Sequence, residues 1–287
     1  MSARRGEATA EVAAVLVDGH EAGAVSVRDR GLHFGDGLFE TIACRNGRAR
    51  FLELHLARLA RGCERLGLEF TAWEPLRAEI AALARGEPAI LKLILTRGEA
   101  TARGYAPASA GPTRILLRQP WPAEDPQLAH AGVVVRIATL ELGENPRLAG
   151  LKHLNRLEQV LARAEWSDPS VQEAVMFSSS GRLVCGTMSN IFILAGERLM
   201  TPRLDRCGVQ GVMRQVVLRE AARAGIGVGE CDLGREALAQ ATEAFLTNAR
   251  IGIWPVRELA GRSLAVGART RQLQGLLAPL LMDGADA

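Results

Sequence analysis

Asp29-Arg-Gly-Leu-His-Phe-Gly-Asp-Gly-Leu-Phe-Glu-Thr41 is the stretch on which the fold reading turns. Gly35-Asp-Gly37 looks at first like a phosphate loop. It lacks the third glycine of a dinucleotide fingerprint, and a β-rich run follows where that fingerprint would open a helix. Working outward, residues 11–17, 24–28, 38–45 and 48–52 read as short strands, and Asn46-Gly47 between two of them is a hairpin signal. Leu52, Leu56, Leu59, Cys63 and Leu66 then recur at helical spacing, with Gly67 where a C-terminal cap belongs. Thr71 with Glu74 has the form of a capping box opening a second helix that runs to about Arg85. Strands follow near 89–96 and 113–119.

Gln119–Pro126 holds three prolines in eight residues and reads as a linker. Beyond it, strands are expected at 132–138, 173–178, 182–185, 190–194 and 243–247. One helix starts near Lys152 with Leu154, Leu157, Leu161 and Ala164 on one face, and another runs from Gly211 to about Ala224. The order mixes helices and strands without regular βαβ alternation. It predicts a two-domain α/β protein of α+β character with largely antiparallel sheets. The boundaries are a smaller domain over 1–118, a linker over 119–127 and a larger domain over 128–287, with a site in the cleft between them.

Composition narrows the function. A net charge of +3 with scattered Arg gives no basic run for nucleic acid or a membrane surface. No apolar run approaches the roughly 18 residues of a membrane span. Five cysteines without a CxxC pair argue against a disulfide framework or zinc site and fit a reducing cytoplasm. His33 and Asp36 alone do not make a metal site.

Of 35 basic residues only Lys92 and Lys152 are lysines. Arg stays charged, whereas Lys can become a neutral amine nucleophile, so both draw notice. Lys92 lies in the apolar run Ala89–Leu95 and reads as an inward salt-bridge partner or an edge-strand charge. Lys152 lies in Leu148-Ala-Gly-Leu-Lys-His-Leu-Asn-Arg-Leu-Glu-Gln-Val160, at the expected helix opening. The positive end of the helix dipole would lower its pKa there, as an amine nucleophile needs. Gly208-Val-Gln-Gly-Val-Met-Arg214 leads from a loop into a helix and offers exposed N–H groups to an anion. Arg58 and Arg61, on the polar side of their helix, and Arg65 nearby are solvent-facing or reach a phosphate. Arg103-Gly104-Tyr105, with the only Tyr of the chain, suits a substrate carboxylate or a plain connecting loop.

Taken together in this order, the motifs resemble fold-type IV pyridoxal-phosphate (PLP) enzymes, from about Val15 to Val256. That family includes branched-chain and D-amino-acid aminotransferases and aminodeoxychorismate lyases. Residues 29–41 resemble its N-terminal signature. Residues 148–160, Arg103-Gly-Tyr105, Thr201-Pro-Arg-Leu-Asp205 and Gly208–Arg214 resemble the lyase branch. The resemblance implies that Lys152 carries PLP as a Schiff base and acts as the catalytic lysine. It implies that Arg58, and N–H groups of Val212 and Met213 behind Gly211, hold the phosphate. Arg103 and Tyr105 then handle a substrate carboxylate, while Asn155 and Asn248 lie near the ring and the pocket.

It further implies a cytoplasmic homodimer that splits aminodeoxychorismate into pyruvate and 4-aminobenzoate, a folate precursor. Where the family usually has a Glu facing the protonated ring nitrogen, this chain has Cys185. A thiol is a weak donor without charge. Aminotransfer depends on a protonated ring more than an aromatising elimination does, so Cys185 favours the lyase. Two other readings stay open: an aminotransferase for D-amino or branched-chain acids, and a non-catalytic binding protein on the same fold.

Overall fold

The computed structural model describes residues 14–123 and 125–283. Residues 11–13 of the expected first strand lie outside them. The chain divides into two compact units, the first through Glu124 and the second from Asp125.

The first unit contains β1 (Ala14–Val17), β2 (His20–Glu21), α1 (Arg30–Phe34), β3 (Gly37–Arg45), β4 (Arg48–Ala49), α2 (Leu52–Leu66), α3 (Trp73–Leu83), β5 (Ala89–Thr96) and β6 (Thr113–Pro120). Its strands form one antiparallel sheet in the order β2-β1-β6-β5-β3-β4. Inward residues of the sheet, among them Leu38, Ile42, Leu91, Leu93 and Leu95, pack with Leu56, Leu59, Leu76 and Ile80 of the helices. Each such side chain contributes about 1.5–3 kcal/mol by leaving water. Asn46-Gly47 makes the expected hairpin, with both residues at positive φ.

Three local expectations fail for identifiable reasons. Residues 24–28 form no strand, because Ser26 starts a turn that accepts the Asp29 N–H at its carbonyl (3.0 Å) and the Arg28 N–H at its hydroxyl (3.2 Å). The run 48–52 is a strand only at Arg48–Ala49, since α2 begins at Leu52. The capping box does not form, and α3 has Ala72 as its N-cap without a side-chain bond. A helix capped by Thr71 would need residue 75 to donate the first intrahelical bond, and Pro75 has no N–H. The start slips by one, so that Leu76 donates to Ala72 (3.1 Å).

The second unit contains α4 (Gln127–Ala131), β7 (Val133–Ile137), α5 (Leu157–Arg163), β8 (Glu173–Phe177), β9 (Leu183–Gly186), β10 (Asn190–Ala195), β11 (Arg198–Pro202), α6 (Val212–Arg223), β12 (Val228–Cys231), α7 (Arg235–Gln240), β13 (Glu243–Asn248), β14 (Gly252–Leu259), β15 (Arg262–Ser263) and α8 (Ala268–Asp283). Its sheet runs β12-β11-β10-β13-β14-β7-β8-β9, with β15 on β14. The β11–β12, β14–β7 and β7–β8 pairs are parallel and the rest antiparallel. β14 escapes a sequence reading because Pro255 sits inside it, opposite Phe245, and proline normally demotes a strand. Among the described residues no helix is long and apolar enough to cross a membrane, and no group of His, Cys, Asp and Glu could hold a metal.

Candidate active site

Gly211 is the N-cap of α6 and has no side chain with which to cap it. The first N–H groups of the helix, those of Val212 and Met213 among them, have no partner within the helix. They lie at a buried helix start, where such groups favour an anion. Asn190, at the start of β10, shapes the loop ahead of it. Its Nδ2 donates to the Val209 carbonyl (2.9 Å) and its Oδ1 accepts the Gly211 N–H (3.1 Å). A Cβ on Gly211 would lie 2.1 Å from that Oδ1, so any larger residue would displace the Asn190 side chain and its two bonds to the loop. Arg214, buried in the first turn, donates to the Pro202 carbonyl (2.9 Å) and the Glu230 carboxylate (2.7 Å), locking α6 to β11 and β12.

The Lys152 segment is stitched to the same loop. Gly150 donates to the Gly208 carbonyl (2.9 Å) and accepts the Gln210 N–H (3.1 Å), a parallel bridge to Val209. Lys152, half-buried, is two residues beyond this bridge. The structure thus joins the Lys152 segment to the loop that leads into α6, a link that neither motif shows by its own pattern.

Lys152 is not in a helix. Its segment is irregular, and α5 opens only at Leu157, so the helix-dipole argument for Lys152 does not hold. The predicted apolar face also turns outward: Leu157 and Leu161 are exposed, and Ala162 is the buried residue of α5. Next to the lysine, burial and then the Arg156 charge hold His153 down at about 4, so it is neutral at physiological pH. Arg156 donates to the His153 carbonyl (3.0 Å) and from Nη2 to its Nε2. Arg has no acceptor, so Nε2 must be the bare nitrogen and the proton sits on Nδ1.

Cys185 is buried on β9. Burial, with the Cys207 and Glu173 charges, pushes its thiol up to about 12 against the pull of Arg156, so it stays neutral. Glu173 cannot replace the missing acid. Its carboxylate accepts the Thr187 N–H (3.1 Å) and hydroxyl, the Met188 N–H (3.1 Å) and the Ser189 hydroxyl (2.9 Å), and so holds the turn between β9 and β10. Asn248 is spent on structure as well: Nδ2 donates to the Met188 carbonyl (3.2 Å), and Oδ1 accepts the Arg250 and Ile251 N–H groups (2.9 and 3.0 Å). Asn155 is exposed.

In the first unit, Arg58 is buried rather than on a polar face, while Arg61 and Arg65 are exposed. The cause is Glu40 of β3. It accepts Arg58 at both oxygens (2.8 and 2.5 Å) and His55 Nδ1 at one (2.6 Å). Burial works to raise the Glu40 carboxyl, but the charges and hydrogen bonds of Arg58 and His55 overcome it and hold it at about 2. Lys92 lies on β5, flanked by β3 and β6, so it is no edge charge. Its Nζ stands 5.7 Å from the centroid of the Phe39 ring.

Arg103-Gly104-Tyr105 lies in a loop beyond Gly98 and beside α1. Arg28, His33, Phe34, Ala100 and Thr101–Gly104 enclose a groove of about 460 Å³. Tyr105 is 86% exposed, with its ring 5.4 Å from that of Phe34. The signature residues build this corner. Asp29 caps α1 through the Gly31 N–H (2.7 Å) and accepts the Thr96 hydroxyl (2.7 Å). Asp36 accepts Arg30 (2.8 Å) and Arg97 (2.9 Å), and Arg97 also caps the end of α2 at Leu66 and Gly67.

The Amino-transferase class IV family model matches residues 37–259. The chain belongs to that family. Its fold is that of the fold-type IV PLP enzymes, and pyridoxal phosphate is its cofactor, as the resemblance implied. The crystal structure of 4-amino-4-deoxychorismate lyase from Pseudomonas aeruginosa is 47% identical, covers 93% of this chain and 99% of that one, and superposes with a TM-score of 0.89. An aminodeoxychorismate lyase from Vibrio harveyi is 32% identical over 88% of this chain and 95% of its own length. A putative branched-chain-amino-acid aminotransferase from Methanocaldococcus jannaschii is also 32% identical, over 87% of this chain and 88% of its own.

The residues present fit PLP in part. A helix start entered through Gly211 and an adjacent half-buried lysine suit a phosphate and a carbonyl group. Cys185, at the position where the resemblance implies an acid, is neutral and would not suit a protonated ring nitrogen.

Proposed function

We propose that this class IV enzyme is an aminodeoxychorismate lyase, converting 4-amino-4-deoxychorismate into 4-aminobenzoate and pyruvate. The observation that carries the reading is the stitching of the Lys152 segment to the Gly211 cradle, in a chain 47% identical to a lyase of that name. When bound, PLP would supply an aldehyde reactive towards amines and an electron-drawing ring. The Val212 and Met213 N–H groups hold the phosphate. Lys152 Nζ takes the proton from the carbon bearing the amine and returns one to the departing enolpyruvyl oxygen. Arg103 pairs with a substrate carboxylate.

Cys185 places no negative charge at the ring. That supports an elimination driven by aromatisation over aminotransfer. The five cysteines are free thiols, which suits the cytoplasm. Exposed Leu157, Val160 and Leu161 on α5 suit burial against a second subunit.

The test is to incubate the PLP-loaded protein with aminodeoxychorismate and measure 4-aminobenzoate and pyruvate in equal amounts. Lys152→Ala should lose roughly 10²–10⁴-fold in turnover. A keto acid and an aminated cofactor in place of these products would make the enzyme an aminotransferase.

A further inference from the structure

We infer that Arg30 is a positioning residue for substrate binding: its guanidinium holds the loop that presents Arg103. Arg30 is buried at the start of α1. Its Nη1 donates to the Gly104 carbonyl (3.3 Å) and its Nη2 to the Tyr105 carbonyl (3.2 Å), while its Nε is fixed by Asp36 (2.8 Å). The guanidinium also lies 4.9 Å from the centroid of the Phe34 ring, a wall of the groove that Arg103 lines. One rigid fork therefore grips the two carbonyls that follow Arg103.

The loop needs that grip. Residues 101–107 are exposed. Their own backbone ties are sparse: the Thr101 N–H reaches Ala108 at 3.3 Å, and the Ala108 N–H reaches Ala106 at 2.8 Å. Lys cannot reproduce the fork, because an ammonium is a point donor and reaches one carbonyl at a time. The substitution does not strand Asp36, which keeps Arg97 at 2.9 Å.

This inference rests on the reading of Arg103 as the substrate-carboxylate group. The experiment compares Arg30→Lys, Arg103→Ala and the double variant, all PLP-loaded. KM and kcat are measured for aminodeoxychorismate, and amide exchange is measured over 101–105. Arg30→Lys should raise KM about tenfold, the effect of one lost charge-assisted hydrogen bond, with kcat changed far less. In the Arg103→Ala background it should raise KM no further, and the 101–105 amides should exchange faster in both Lys variants. Independent, multiplying effects on KM, a loss confined to kcat, or unchanged exchange would each overturn the proposal. Should the wild-type protein make no 4-aminobenzoate, the lyase reading fails by itself, while the exchange still reports whether Arg30 holds the loop.

Discussion

Glu40→Gln is the substitution whose consequence follows most directly from the structure. Glu40 sits 1% exposed between Arg58 and His55, and its carboxyl is held at about 2 against an ordinary value of 4.5. A carboxyl shifted down that far stabilises the folded state by about 3 kcal/mol when ionised. The sign is fixed by the direction: this stability is complete above about 4.5 and is lost as the pH falls through the folded value near 2. Gln keeps the shape but leaves the Arg58 charge buried without its counter-ion, a change that costs roughly 3–5 kcal/mol.

Urea unfolding of both proteins across a pH series should show a gap of about 3 kcal/mol at neutral pH. The gap should narrow as the solution becomes acid, because the wild type alone loses the ionised pair. A gap of the same size at every pH, or one below about 1 kcal/mol at neutral pH, would refute the account of the Glu40–Arg58–His55 cluster.

Other substitutions test the second unit. Gly211→Ala drives a Cβ to 2.1 Å from Asn190 Oδ1 and should weaken PLP retention, read by equilibrium dialysis against free cofactor. Cys185→Glu restores an acid within reach of the Arg156 charge and should raise aminotransfer relative to elimination. The readout is the rate at which a D-amino or branched-chain amino acid converts bound cofactor to its aminated form, and no gain would show that residue 185 does not set the balance. Glu243 accepts the Thr270 N–H (2.9 Å) and hydroxyl (2.7 Å) at the start of α8. Glu243→Ala should cost about 1–2 kcal/mol in a thermal melt through loss of that cap.

Local chemistry was legible in the sequence. The hairpin at Asn46-Gly47, the α2 stripe closed by Gly67, and the glycine entry to α6 are each written within a few residues. Partnerships across long separations were not. Arg58 read as solvent-facing or as a phosphate ligand, because nothing near it says that Glu40, on a different element, turns it inward. Asn190 drew no notice, since its role depends on a loop 21 residues away. Lys152 was placed in a helix by the spacing of Leu154, Leu157 and Leu161. Its backbone instead follows the Gly150 bridge to Val209, and spacing within one segment cannot reveal a bond to another. The same blindness hid the work of Asp29, Arg30 and Asp36. They read as a family signature, but their partners are Thr96, Gly104, Tyr105 and Arg97.

The loop beyond β5 closes at its base where Gly98 and Gly111 cross so tightly that a Cβ on Gly98 would sit 1.7 Å from the Gly111 carbonyl oxygen. The two chain ends are fastened there, by the Ala110 N–H to Glu99 (3.0 Å) and the Ala100 N–H to Arg28 (3.0 Å). Between them the loop is held chiefly through its backbone, by Arg30 at the Gly104 and Tyr105 carbonyls. Segments of other composition can be spliced in at this clasp with the antiparallel sheet beneath left intact, provided two carbonyls still meet Arg30. Side chains can therefore change within this one short cassette while the strands that carry it stay as they are.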